Sequence, residues 1–443
     1  MASFISLATV ASLLAVLPTS MAAFSPGSRN NAFSPGSLNN TFSPGSQKNI
    51  AIYWGKDIGF AILPCQDSDL CQGQNSINQG SGPLAQKRLG YYCENTDINI
   101  IPVAFMNGIT PAITNFANAG DNCTAFADNK DVLNCPQIEE DIKTCQDKHS
   151  KTIVLSLGGA TYSQGGWSSP SEAEAAAQTV WDMFGPVQSG SKVNRPFGSA
   201  VVDGFDFDFE STTNNLPAFG AKLRSLMDAA GGKKFYLAAA PQCVFPDAAV
   251  GAALDAVAFD FVMIQFYNNW CGVSNFKENA TTQDAFNFDV WDKWAHGSKN
   301  PDVKLLLGIP AAPGAGGGYT EGSKLKAAIN YSQKFSSFGG VMMWDMSQLY
   351  SNSGYLKEVL SDIAGGPTTT VPPGTTTTVP PGTTTTVPPG TTTTSSPCTT
   401  SSPPPSGGLD KYAQCGGNGY NGPTVCKAPY TCVKLSDWWS SCK

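Results

Sequence analysis

Short runs of apolar, β-branched and aromatic residues recur eight times in this chain, at 50–54, 98–105, 152–157, 200–209, 234–240, 259–267, 303–309 and 340–344. Each has the length of a strand. Amphipathic stretches with helical spacing lie between several of them, at 172–184, 218–230 and 324–335. Strands alternating with helices predict a parallel sheet, since a parallel pair needs a crossover long enough to hold a helix. Eight such units over roughly 310 residues predict an α/β fold of the (β/α)8 TIM-barrel class rather than an open doubly wound sheet. No glycine-rich fingerprint follows the first run, which disfavours a dinucleotide-binding fold.

The fourth run is unlike the others. It reads Val201-Val202-Asp203-Gly204-Phe205-Asp206-Phe207-Asp208-Phe209-Glu210. Side chains alternate faces along a strand, so Asp206, Asp208 and Glu210 share one face and Phe205, Phe207 and Phe209 the other. Burying like charges together is costly, and such a cost marks a site whose chemistry needs a perturbed carboxyl group. A calcium loop or a solvated edge strand is the alternative. The aromatic face implies burial, and the spacing is not that of a calcium loop. Asp203 has the opposite parity and reads as structural, with Gly204 allowing close packing.

Outside 49–364 the hydrophobic pattern fails. Residues 1–22 hold a short apolar run followed by small residues, which predicts a secretory signal peptide. Three near copies of a nonapeptide follow, from Ala23, Ala32 and Thr41, each containing Phe-Ser-Pro-Gly-Ser. They lack the apolar mass for a core, so 23–48 reads as a spacer. Residues 365–408 are rich in Pro and Thr, as in an extended, O-glycosylated linker. The last segment, 409–443, carries Cys415, Cys426, Cys432 and Cys442, and a unit so small needs disulfides to fold.

Composition narrows the function. A net charge of −7 argues against nucleic acid as a partner. With only two histidines, His149 and His296, a Ser-His-Asp site or a histidine-bound metal is disfavoured, and no cofactor or metal is expected. Thirteen cysteines behind a signal peptide imply disulfides and an extracellular location. No stretch has the apolar length of a membrane span. The sequons at Asn279 and Asn330 are expected glycosylation sites, ahead of those at Asn39 and Asn122.

In a barrel of this class function sits at the C-terminal ends of the strands. Those ends carry Tyr53-Trp54-Gly55, Ser156-Leu157-Gly158-Gly159, Gln265-Phe266-Tyr267-Asn268-Asn269-Trp270 and Trp344-Asp345. Aromatic rings and amides around paired carboxylates suit a sugar, whose C–H faces stack and whose hydroxyls hydrogen-bond.

Asp203-Gly204-Phe205-Asp206-Phe207-Asp208-Phe209-Glu210 resembles the DGxDxDxE signature of family 18 glycoside hydrolases, the chitinases. Leu155-Ser156-Leu157-Gly158-Gly159 resembles the family's second motif. Ala239-Ala240-Pro241-Gln242-Cys243 and Gly340-Val341-Met342-Met343-Trp344 are similar to its plant and fungal class III branch. The resemblance implies a retaining, substrate-assisted hydrolysis of β-1,4-linked N-acetylglucosamine. Glu210 would be the general acid, and the acetamide of the substrate the nucleophile. Asp208 would orient that acetamide, Asp206 would share a proton with Asp208, and Tyr267 would hydrogen-bond the acetamide carbonyl. Tyr53, Gly159, Gln265, Asn268 and Trp344 would bind substrate. The resemblance also implies the pairs Cys93–Cys145, Cys123–Cys135 and Cys243–Cys271. Cys65–Cys71 pair by elimination, with Cys398 left over.

The chain departs from close relatives at Lys56-Asp57, and 56–82 reads as an insertion in the first strand-to-helix loop. The connection between the seventh and eighth runs is too short for a cleft-walling domain, so internal cleavage is expected. The C-terminal cysteine spacing resembles the fungal family 1 cellulose-binding module. That implies Cys415–Cys432 and Cys426–Cys442 pairing and a flat strip of Tyr412, Trp438 and Trp439. The whole is expected to be a secreted monomeric endochitinase acting on insoluble chitin, with cellulose a second ligand open to the module. An endo-β-N-acetylglucosaminidase on glycoprotein glycans and a non-catalytic chitin-binding lectin are the alternatives.

Overall fold

The computed structural model describes residues 41–55, 85–116, 122–365 and, nearer the C-terminus, 408, 414–416, 424–434 and 440–442. The chain divides into two compact units between residues 370 and 371, and each is described by itself.

In the first unit eight parallel strands close into a barrel. They are β1 (Asn49–Ile52), β2 (Ile100–Met106), β3 (Thr152–Gly159), β4 (Gly204–Phe209), β5 (Tyr236–Ala239), β6 (Phe261–Gln265), β7 (Lys304–Pro310) and β8 (Phe338–Trp344). Each strand pairs with its neighbours in chain order, and β8 returns to pair with β1, from Asn49 opposite Gly340 to Ile52 opposite Met343. All eight predicted runs are strands of this barrel. The predicted helices are formed, and each takes the number of the strand it follows: α3 (Pro170–Phe184), α4 (Leu216–Ala229) and α7 (Gly322–Ser332). Among the described residues no helix is long and apolar enough to cross a membrane.

The alternation in β4 is realised as two packing faces. Phe205, Phe207 and Phe209 point outward and meet Trp181 of α3, Phe219 of α4 and Tyr162 respectively. Full burial of each phenyl ring stabilises the layer by about 2 kcal/mol. The acidic residues therefore face the barrel interior. Gly204 is required where β4 meets β5, because a Cβ there would lie 1.8 Å from the Tyr236 carbonyl oxygen. Asp203, just before the strand, accepts hydrogen bonds from Ile153 N and Gln146 Nε2 and pairs with Lys233 at 2.7 Å. That is the scaffold role its parity predicts.

The repeat spacer was expected to end at residue 48, outside the globular unit. The structure differs. Phe42, in the third copy, is only 3% exposed and seals the barrel interior at the N-terminal ends of the strands. The physical reason is local: an inward-facing ring fills the space between the first residues of β5 and β6, Tyr236 and Phe261.

Cys93–Cys145, Cys123–Cys135 and Cys243–Cys271 are all formed. Cys65, Cys71, Cys398 and the 56–82 insertion lie outside the described residues. In the second unit, Gln414–Gly416, Cys432–Lys434 and Ser440–Cys442 form a three-stranded antiparallel sheet with the third strand in the middle. Cys415–Cys432 and Cys426–Cys442 cross-link it. Tyr412, Trp438 and Trp439 lie outside the described residues.

Candidate active site

A cavity of about 220 Å³ opens at the C-terminal ends of the strands. Asp208, Glu210, Gln265, Tyr267, Asn268, Tyr53 and Trp344 line it, brought together from β1, β4, β6 and β8 and the residues that follow them. The wall is completed by Phe105, Ala160, Thr161, Ala240, Ala315 and Met342, which sequence reasoning had not singled out. These residues carry no polar pattern of their own, and only closure of the barrel brings them to one place. Gly159 is not on the wall; its neighbours Ala160 and Thr161 are. A Cβ at Gly159 would lie 3.0 Å from the Phe105 ring, so its lack of a side chain serves packing against that ring.

The carboxyls are stacked along β4. Asp206 is lowest and fully buried, below the cavity. Its Oδ2 accepts from Tyr53 Oη at 2.6 Å and Ser156 Oγ at 2.7 Å, while its Oδ1 is buried without a partner among the described residues. Burial raises Asp206 to about 6, against those two hydrogen bonds. Asp208, next above, accepts from Gln265 Nε2 at 3.0 Å. Burial, then the charges of Glu210 and Asp206, hold it well above the usual carboxylate range. Glu210 is the first residue beyond the strand and is open to solvent at the cavity. Desolvation by the surrounding walls still pushes its pKa up, opposed by a 3.5 Å contact from Gln265 Nε2 and reinforced by the charge of Asp247.

Gln265 is held for this work by a third contact, from Nε2 to the Ala240 carbonyl at 2.9 Å. Tyr267 is buried, and its hydroxyl makes no hydrogen bond to a described residue, which leaves it free to donate into the cavity. Burial and the charge of Asp208 push its phenol well up, so it stays a donor. Trp344 lies against Tyr53 and is stacked with Phe105, centroids 6.0 Å apart. Asn268 has a left-handed backbone (φ 59°), and its Oδ1 accepts from Gly317 N at 2.6 Å. Much of its role is thus to hold the loop after β7.

Asp247 was missed by sequence reasoning, because a lone Asp after Pro246 has no spacing signal. It is buried, and its carboxylate accepts from the backbone N–H groups of Gln242, Ala249 and Val250. It fixes the segment after β5, which Cys243–Cys271 ties to the segment after β6. Of the two expected glycosylation sites, Asn279 lies on an exposed turn. Asn330 lies in α7, half-buried, with its Oδ1 shut off from solvent.

What this arrangement can do is set by proton sharing. Three carboxyls stacked on one strand end cannot all ionise, so the group retains protons into the mildly acidic range. The solvent-facing member, Glu210, can pass one to a substrate oxygen. Residues 87–318 match the model of glycosyl hydrolases family 18. The chain belongs to family 18 of the glycosyl hydrolases. It is a glycoside hydrolase of the chitinase kind. It is 55% identical over 356 residues to Endochitinase 33 of Trichoderma harzianum, an alignment spanning 80% of this chain and 98% of that protein. It is 42% identical to an endochitinase of Saccharomyces cerevisiae, over 73% of this chain and 52% of the relative. Among solved structures, the ICChI chitinase of Ipomoea carnea superposes with a TM-score of 0.51 at 28% identity, covering 71% of this chain and 99% of that one. A xylanase and α-amylase inhibitor protein of Scadoxus multiflorus superposes equally well, with a TM-score of 0.52 at 26% identity and coverage of 71% and 98%. Residues 411–439 match the fungal cellulose binding domain.

Proposed function

We propose that this family 18 enzyme is a secreted endochitinase that cleaves β-1,4 bonds of chitin with retention, using the acetamide of the substrate as nucleophile. The observation that carries this reading is where the carboxylates stand. Asp208 and Glu210 are the only carboxylates on the described cavity wall, and both come from the end of β4. A two-carboxylate mechanism needs its second group across the sugar from the acid. With no carboxylate facing Glu210 among the described residues, a nucleophile carried by the substrate is the reading the cavity supports.

In the first step Glu210 protonates the glycosidic oxygen. The C1–O bond breaks as the acetamide carbonyl oxygen attacks C1 from the other face, and a cyclic oxazolinium ion forms. Asp208 accepts the acetamide N–H and offsets the positive charge developing there. Tyr267 donates to the carbonyl oxygen and holds it in line. Asp206, hydrogen-bonded to Tyr53 and Ser156, takes up a share of the proton when Asp208 ionises. In the second step Glu210 accepts a proton from water as the water attacks C1 and opens the ring. Two inversions give net retention. Trp344 and Tyr53 stack on the sugar.

Secretion is inferred from the signal-like segment at 1–22, and internal cleavage from the short connection between β7 and β8, which holds one helix, α7. The C-terminal module, with its likeness to a cellulose-binding domain, would keep the enzyme on a polysaccharide surface and raise local substrate concentration. Because the same fold occurs in a protein known as an inhibitor, the residues rather than the fold carry the catalytic reading.

The test is proton NMR of chitohexaose during early turnover. The β-anomer should form first, and products should come from internal bonds. Substrate lacking the acetyl group at the −1 sugar should be inert. An initial α-anomer, or cleavage of de-N-acetylated substrate at a similar rate, refutes the mechanism. Turnover of high-mannose glycopeptide with chitohexaose untouched would point instead to the glycan-cleaving alternative.

A further inference from the structure

The third nonapeptide copy is bound by the N-terminal face of the barrel, and the manner of its binding bears on the other two. Phe42 inserts its ring between Phe261 at 4.6 Å and Tyr236 at 5.2 Å. Its backbone N–H donates to Thr152 Oγ1 at 2.9 Å, and the Thr41 carbonyl accepts from Asn99 Nδ2 at 3.1 Å. Asn49 reads the backbone beyond the ring: its Oδ1 accepts from Ser43 N, and its Nδ2 donates to the Ser43 and Ser46 carbonyls. Ser43-Pro44-Gly45-Ser46 forms a turn closed by Ser46 N to Ser43 O at 3.0 Å, with proline and glycine at its centre.

Almost everything the barrel uses from this segment is a phenylalanine ring, a backbone atom, or the Ser-Pro-Gly-Ser turn. All of these recur in the copies at Phe24-Ser25-Pro26-Gly27-Ser28 and Phe33-Ser34-Pro35-Gly36-Ser37. The one contact through a side chain peculiar to the third copy is Gln47 Nε2 to the Gln333 carbonyl, at 3.3 Å. The site itself, made by Asn49, Asn99, Thr152, Tyr236 and Phe261, lies at the strand ends opposite Glu210 and is separate from the catalytic cavity.

We propose that this face is a binding site for the Phe-Ser-Pro-Gly-Ser segment as such, and that the second and first copies of the same chain occupy it whenever the third is lost. The repeat is then a set of interchangeable plugs for the open bottom of the barrel. Apart from that Gln47 contact, only loop length distinguishes the copies. Phe42 is 7 residues from Asn49, Phe33 is 16 and Phe24 is 25. Closing the longer loops disfavours the second copy by about 3-fold and the first by about 7-fold relative to the third.

The experiment is urea unfolding of full-length variants, followed by the near-ultraviolet signal of the barrel. Phe42→Ala should change the unfolding equilibrium by only about 3-fold, and Phe33→Ala with Phe42→Ala by about 7-fold. Adding Phe24→Ala removes every plug and should cost on the order of 100-fold or more, as expected when a buried phenyl is lost outright. Phe33→Ala and Phe24→Ala with Phe42 intact should change nothing. If the triple variant does not fold while Phe42→Ala unfolds near the wild-type midpoint, the proposal stands. It is overturned if Phe42→Ala alone falls as far as the triple variant, or if all variants match the wild type. A Phe42→Ala midpoint that rises with protein concentration also overturns it, since the replacement plug would then come from a second molecule.

Discussion

Replacing Asp206 by asparagine should stabilise the fold while destroying its activity, and the gain should depend on pH in a defined direction. Asp206 is fully buried and raised from 3.8 to about 6. At about 1.36 kcal/mol per pKa unit, that shift amounts to ~3 kcal/mol of stability. The sign follows from proton uptake. Below about pH 4 the residue is protonated in both folded and unfolded chains, and it costs nothing. Between about 4 and 6 the unfolded chain releases the proton while the folded one keeps it, so stability falls as pH rises. Above about 6 the full cost is present. Asparagine cannot ionise, so Asp206→Asn removes the cost. Its oxygen can still accept from Tyr53 and Ser156, and its NH₂ takes the place of the unpartnered Oδ1. Loss of the Asp206 charge also relieves Asp208, which works in the same direction.

The assay is urea unfolding of wild type and variant at pH 4 and pH 7. The variant's advantage should grow by about 2.4 kcal/mol between the two, on the order of 5 °C in melting temperature. Comparing the two pH values cancels any difference in packing, which is the same at both. If the difference between variant and wild type is the same at pH 4 and pH 7, or shrinks as pH rises, the argument that buried proton sharing strains this strand is wrong. A variant that kept full chitin hydrolysis would separately remove Asp206 from the mechanism.

Glu210→Gln should lower kcat on chitohexaose by at least about 1,000-fold while leaving binding to insoluble chitin within about 2-fold, measured by depletion from solution. Tyr267→Phe should lower kcat by roughly 100-fold with little change in KM, because its hydroxyl matters most when charge builds on the acetamide oxygen. Asp247→Asn should move the alkaline limb of the kcat/KM profile to lower pH, since the Asp247 charge helps hold the Glu210 proton; an unmoved limb would restrict Asp247 to loop anchoring. Gly204→Ala should prevent folding or cost more than about 3 kcal/mol by thermal unfolding, because the added carbon meets the Tyr236 carbonyl at 1.8 Å.

What could be read along the chain, and what could not, divides by the range of the interaction. The eight strands and the two faces of β4 were legible because each depends on period-two patterning within one short segment. The phenylalanines find helices on one side and the carboxyls find the barrel interior on the other. Glu210, Asp208, Tyr267 and Trp344 were legible because strand ends in a barrel converge on one face. Asp247 was not, since its influence on Glu210 passes through space from a different loop. The packing of Gly159 was not legible, since a glycine at a strand end serves close packing as readily as ligand contact, and its approach to Phe105 depends on a different strand.

Phe42 shows the opposite failure, in which local composition argued correctly about the segment and wrongly about its partner. A stretch of Phe, Ser, Pro, Gly and Asn cannot build a core of its own, which is why 23–48 read as a spacer. It can still complete one that lacks a single ring. A parallel barrel leaves its bottom open unless something caps it, and the first residues of β5 and β6 are aromatic and face that opening. The unsatisfied surface lay in one part of the chain and the group that covers it in another. Folding resolves that mismatch by contact, and neither segment carries it in its own pattern.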